Sequence, residues 1–82
     1  MSQLLPCRCC GSFTISAYDA FEICPVCGWE DDDVQAEDPT FSGGANVPSL
    51  NEARASYAAF GACEARLMKT VRPPREDELP NE

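Results

Sequence analysis

Six cysteines carry the chemistry of this 82-residue chain, and four of them fall into two copies of one short pattern. Cys7-Arg8-Cys9-Cys10-Gly11 and Cys24-Pro25-Val26-Cys27-Gly28 both read Cys-x-x-Cys-Gly, with thirteen residues between Cys10 and Cys24. A Cys-x-x-Cys turn supplies two sulfurs, and a pair of such turns completes the four soft ligands that Zn2+ takes at about 2.3 Å. The glycine after each pair suits a knuckle whose backbone needs positive φ and whose N–H can donate to a thiolate. Cys7, Cys10, Cys24 and Cys27 are therefore the expected ligands, and Zn2+ the expected ion. Iron takes the same four thiolates in a rubredoxin-type site, so Fe is the alternative. A shortage of aromatic residues around the site and the short Cys10 to Cys24 spacing favour zinc. Four thiolates close the coordination sphere, which makes the metal structural and not a Lewis acid for catalysis. Disulfides or free thiols are the rival reading, and they suit an oxidising compartment.

The remaining reactive groups give little purchase for catalysis. Histidine is absent, so imidazole serves neither as base nor as ligand. Cys9 interrupts the first knuckle; a Cys7/Cys9 register would lack the arc of Cys-x-x-Cys and misplace Gly11, so Cys9 reads as an exposed spectator thiol. Cys63 reads as a small buried hydrophobe. A nucleophilic role for either would need a base that the chain lacks, and no enzyme activity is expected. Asp31, Asp33 and Gln35 alternate like the start of a calcium loop, yet no Gly stands at its sixth position and no Glu at its twelfth. That run reads as a solvated acidic loop or a patch for a basic partner.

Fourteen acids against six bases give a formal charge of −8. Such a balance repels phosphate backbones and anionic membranes, so neither nucleic acid nor membrane is an expected partner. Residues 1–53 hold nine acids and one base, Arg8, while residues 54–82 hold five of each. The start of the chain has no basic, apolar leader, and no segment approaches the ~20 apolar residues of a membrane span. A cytoplasmic protein is expected, and in a reducing cytosol clustered cysteines hold metal more often than disulfides.

A chain this short buries too little apolar area to offset its ordering entropy comfortably, so a staple is expected. Phe13 and Ile15 alternate with Thr14 and Ser16, and Phe21 and Ile23 flank Glu22, which predicts two short strands joined by a turn at 17–20. Residues 30–48 hold six carboxylates in 30–38, then Gly and Pro, and read as loop. Ser49-Leu50-Asn51-Glu52 matches a capping box and predicts a helix over 49–60, with Leu50, Ala53, Tyr57 and Phe60 as its apolar stripe and Gly61 as its stop. A short helical turn at 63–68 and a loose polar tail at 73–82 follow. Trp29, beside the second knuckle, is expected to close the small core against the helix. The expected fold class is α+β: one domain over 1–72, made of a zinc-ribbon-like hairpin with two knuckles (6–29), an acidic loop and one C-terminal amphipathic helix.

These motifs together resemble the bacterial cysteine-rich family named for its Cys-Pro-Cys-Cys motif. The resemblance runs from Pro6 to Pro74 and rests on Cys7-Arg8-Cys9-Cys10-Gly11, on 23–32, on Gly43-Gly44-Ala45-Asn46, on Ser49-Leu50-Asn51-Glu52-Ala53-Arg54, and on Phe60-Gly61 with Arg72-Pro73-Pro74. Arg8 stands where the family has its proline. The resemblance implies a small zinc-ribbon-like domain and no established activity. The expected function is a protein interaction or adaptor module with a structural zinc, presenting the acids at 31–33 to a protein partner and suited to a basic one. A rubredoxin-like electron-transfer protein is the alternative.

Overall fold

The computed structural model describes residues 4–18 and 20–79. Expectations that fall on residues 1–3, 19 and 80–82 lie outside the described residues. The secondary structure is sparse: β1 (Leu5–Pro6) pairs antiparallel with β2 (Phe13–Ile15), followed by α1 (Asp33–Glu37), α2 (Leu50–Phe60), and 3-10 turns at Ala65–Leu67 and Glu76–Glu78. The α+β class with two cysteine knuckles stands. The hairpin, however, lies elsewhere than alternation predicted. Strand β2 does not pair with 21–23; it pairs with the segment before the first knuckle, and Ile23 bridges to Glu30 across the second. Each Cys-x-x-Cys turn thus sits at the tip of its own small hairpin, and Phe21 and Ile23 remain exposed. Glu22 explains why 16–22 folds as a loop: its carboxylate accepts from Ser16 N–H at 2.9 Å, Ala17 N–H at 3.1 Å and the Ser16 hydroxyl. A period-2 pattern over three residues cannot outweigh that local closure.

The core is built on the knuckles. Cys7, Cys9, Ile15, Cys24, Val26, Cys27, Trp29, Leu50, Ala53 and Cys63 form one buried cluster, with Leu5, Cys10, Tyr18, Tyr57 and Leu67 packed against it. Trp29 is fully buried, as expected of it, and its indole N–H has no hydrogen-bond partner among the described residues. Helix α2 begins and ends where its sequence says. Ser49 Oγ accepts from Glu52 N–H at 3.1 Å, Glu52 Oε1 accepts from Ser49 N–H at 2.8 Å, and Gly61 stops the helix at φ 79°. Its stripe is shorter than expected: Leu50 and Ala53 are buried and Tyr57 is half-buried, but Phe60 is 53% exposed. The buried residues of the helix lie in its first turn, and Phe60 in its last turn is left largely to solvent.

The acidic segment is not all loop. Asp32 caps α1 by accepting from Val34 N–H at 2.8 Å, and its other carboxylate oxygen accepts from Ala45 N–H at 2.9 Å. These two N–H donors hold its carboxyl below the usual range. Gln35, fully buried, is the hub. Its amide N–H groups donate to the carbonyls of Phe41, Asn46 and Pro48, and its Oε1 accepts from the backbone and side-chain N–H of Asn46. Asn46 in turn accepts from Glu30 N–H at 2.9 Å and donates to Glu30 C=O at 2.7 Å. A β-carbon at Gly44 would lie 2.7 Å from Asp32 Oδ2 and 2.9 Å from Gln35, so only glycine fits there.

The tail is also held further than composition suggests. Arg72 grips Glu78 with two hydrogen bonds of 2.8 Å, and Glu78 also accepts from Arg75 N–H at 2.8 Å. The Arg72 guanidinium is the main reason the Glu78 carboxyl is brought down to about 2, so this anchor is complete above the ordinary carboxylate range and is lost as pH falls toward that value.

Two outcomes follow from these contacts. Gln35→Leu strands the buried carbonyl and amide groups of Asn46 and the part-buried carbonyls of Phe41 and Pro48, at a cost of about 3 kcal/mol read by denaturant unfolding of the metal-loaded protein. Glu78→Ala frees the tail, so trypsin cuts after Arg75 roughly tenfold faster, by mass spectrometry, while the rest of the chain keeps its resistance.

Candidate metal centre

The two knuckles repeat one backbone pattern. In the first, Gly11 N–H donates to Cys7 C=O and Cys7 N–H to Ser12 C=O, both at 2.8 Å; in the second, Gly28 N–H donates to Cys24 C=O at 2.8 Å and Cys24 N–H to Trp29 C=O at 2.9 Å. Gly11 and Gly28 have φ of 82° and 87°, the left-handed region that the knuckle reading requires. In each, the N–H two residues on points at the first sulfur: Cys9 N–H at Cys7 Sγ and Val26 N–H at Cys24 Sγ, both at 3.4 Å.

This pairing brings four sulfurs together. The Sγ atoms of Cys7, Cys10, Cys24 and Cys27 lie within 4.8 Å of one another, with Cys7 to Cys27 at 3.6 Å and Cys10 to Cys24 at 3.7 Å. A regular tetrahedron with metal–sulfur bonds of about 2.3 Å has edges of about 3.8 Å, so the two closest pairs already stand near ligand spacing. All four are near enough to hold a metal ion. As free thiols they crowd one another: hydrogen bonding with Cys10 pushes Cys7 and Cys27 far up and Cys24 far down. For Cys10 the Cys24 contact opposes ionisation, but the Cys27 and Cys7 contacts outweigh it and bring the thiol down to about 7. A divalent cation at the centre would favour all four thiolates at once.

Further donors surround the sulfurs. Thr14 Oγ1 donates to Cys24 Sγ at 3.1 Å, and the Trp29 backbone N–H to Cys27 Sγ at 3.4 Å. Thr14 carries a role that its sequence position only hinted at: it occupies the polar face of β2, opposite Ile15, and that face turns out to look at the second knuckle. Three expectations are corrected here. Cys9 is buried at 8% exposure and is no surface spectator. Asp31 and Asp32 are buried, so they do not form a presented acidic surface; Asp33 alone of the three is partly exposed. The site is not short of aromatics either, since Trp29, Tyr18 and Tyr57 all belong to its packing. Cys63 is buried as expected, its backbone N–H bonded to Cys27 C=O at 2.8 Å, and burial pushes its thiol up to about 12.

Residues 5–78 match the family described as Cysteine-rich CPCC. The chain belongs to the cysteine-rich CPCC family. None of the curated proteins compared matches it. Against the pattern that gives the CPCC family its name, Arg8 is the departure, and the fold has absorbed it. Its guanidinium stands 3.5 Å from the carboxylate of buried Asp31 and 3.6 Å from Asp33, and lies 4.0 Å over the ring of Tyr18. Its backbone carbonyl accepts from Arg54 Nε at 2.9 Å, a contact that any residue at position 8 could make and that accounts for the arginine of Ser-Leu-Asn-Glu-Ala-Arg.

Arg8→Pro restores the family motif yet withdraws the cation from buried Asp31. Metal stoichiometry by native mass spectrometry stays the same, while stability in denaturant melts falls by about 2 kcal/mol.

Proposed function

We propose that this CPCC-family protein is a small interaction module whose fold is closed by one structural Zn2+ on Cys7, Cys10, Cys24 and Cys27. The observation that carries this reading is the sulfur cluster itself: four thiols within 4.8 Å, at the tips of two hairpins with little other secondary structure to hold them together. Zinc in such a site supplies folding free energy of about 10–16 kcal/mol and no open coordination position for chemistry. The thirteen-residue spacing supports zinc over iron, and the absent histidine and the buried, high-pKa Cys63 support a binding role over thiol catalysis.

With Asp31 and Asp32 turned inward, the acids left for a partner are the exposed ones, among them Glu37, Asp38, Glu52, Glu76 and Asp77. Together with the overall charge of −8 they favour a partner with a basic surface. Among the described residues, no helix is long and apolar enough to cross a membrane. A second reading has one observation behind it. The aromatic packing of Trp29, Tyr18 and Tyr57 about the cluster suits a sheltered iron centre for electron transfer.

Protein purified from its own host separates these readings. One zinc per chain, a colourless solution and loss of circular dichroism on chelation support the structural zinc; a red protein with visible charge-transfer bands establishes iron instead. Crosslinking followed by capture at low and high salt checks the partner: a stoichiometric protein retained only at low salt is the expected result.

A further inference from the structure

The two knuckles are equivalent in backbone and unequal in cover. The C-terminal segment lies over the second: Cys63 N–H bonds Cys27 C=O at 2.8 Å, and Arg72 N–H bonds Pro25 C=O at 3.2 Å. A β-carbon at Gly28 would lie 2.9 Å from Leu67 Cδ1, 3.3 Å from Val71 Cγ1 and 3.7 Å from Cys63 Sγ. At Gly11, the matching position of the first knuckle, a β-carbon would meet nothing within 4 Å. The same inequality reaches the sulfurs. Cys24 and Cys27 are fully buried and Cys7 is 3% exposed, whereas Cys10 is half-buried. Cys27 receives the Trp29 backbone N–H at 3.4 Å, Cys24 the Thr14 hydroxyl at 3.1 Å and Cys7 the Cys9 N–H at 3.4 Å, while Cys10 meets the Cys24 sulfur at 3.7 Å.

Access and hydrogen bonding together rank thiolates for reaction: a solvent-shielded thiolate that accepts N–H bonds is held back, and the one open to solvent is attacked first. We infer that Cys10 is the exchangeable ligand of the metal centre and the site at which a soft electrophile, such as an α,β-unsaturated carbonyl, modifies the protein. This rests on the metal-centre reading proposed above. In the reaction a lone pair of Cys10 Sγ forms a carbon–sulfur bond to the β-carbon, the C=C π bond breaks, and the α-carbon takes a proton from water. Nothing is oxidised and nothing leaves the electrophile. Cys10 then has no thiolate to offer, and three sulfurs remain for the ion.

Cys24 and Cys27 stay under the C-terminal cover and Cys7 is itself buried, so these three keep their shelter until that first event has occurred. Labelling is therefore sequential and begins at the open knuckle. The same order bears on loading and removal of metal, since the ligand most open to water is the first an acceptor can displace.

N-ethylmaleimide at substoichiometric amounts tests this on the full-length protein at neutral pH, with metal content measured beforehand by native mass spectrometry. The expected result is a single label that peptide mapping places on Cys10 at least about tenfold ahead of every other cysteine, with metal lost from the labelled molecules and kept by the unlabelled ones. A first label on Cys7, Cys9, Cys24, Cys27 or Cys63 in metal-loaded protein overturns the inference and leaves the metal centre standing. Protein that carries no metal from its host overturns the metal centre, and this inference with it.

Discussion

Everything in this molecule hangs on the approach of four sulfurs to within 4.8 Å of one another. The strands are two and three residues long, and among the described residues cysteines make up five of the eleven buried apolar ones, with few large side chains beside them. Secondary structure that short does not hold itself together in water. The knuckles therefore do what a larger core would do in a longer chain, and the remaining elements are arranged to aim them. β1 and β2 present Cys7 and Cys10, the Ile23 to Glu30 bridge presents Cys24 and Cys27, and α2 and the 62–72 segment close over the result. Four thiolates on a dication also leave about −2 at the centre, inside the acidic half of the sequence. Arg8, the lone base of residues 1–53, sits in the first knuckle and faces two of the nearby acids.

A second layer of order is polar. Gln35, Asn46 and Asp32, with glycine at position 44 to let them close, hold residues 30–48 by hydrogen bonds. That gives a physical meaning to segments that looked more specific than a loop requires. Asn46 and Gly44 of Gly-Gly-Ala-Asn serve the clasp, and Ser49, Leu50, Glu52, Ala53 and Arg54 serve as cap, core, cap, core and tie to the first knuckle. Those internal contacts give both runs a structural role.

The sequence made legible what depends on a few residues at fixed spacing. The knuckles, the capping box and the glycine stop are local devices whose geometry is dictated by adjacent atoms, and they stand where their residues put them. The buried Trp29 and Cys63 and the short turn near 65–67 were likewise readable. What could not be read depended on distant partners. Strand pairing went to Leu5–Pro6 because Glu22 closes the 16–22 loop on itself. The acidic run hid two buried carboxylates because their partners, Ala45 N–H and the Arg8 guanidinium, are 13 and 23 positions away. Phe60 completes a helical stripe on paper, but the burial of that stripe ends before it. The tail looked loose because nothing in its composition tells that Arg72 and Glu78 meet.

The side chain of Asn46 bears on how the molecule behaves beside copies of itself. Antiparallel pairing with Ile23 uses one edge of the segment at Glu30 and leaves that residue's N–H and C=O pointing outward, the pair of groups to which a further strand would add. Asn46 takes both, one with its carbonyl and one with its amide, and so imitates a neighbouring backbone with a single side chain. A ribbon ended in this way offers no template for sheet growth along that edge. Three-residue strands need not be lengthened, charged or covered to stay solitary there; an amide of the right reach is enough to finish the sheet.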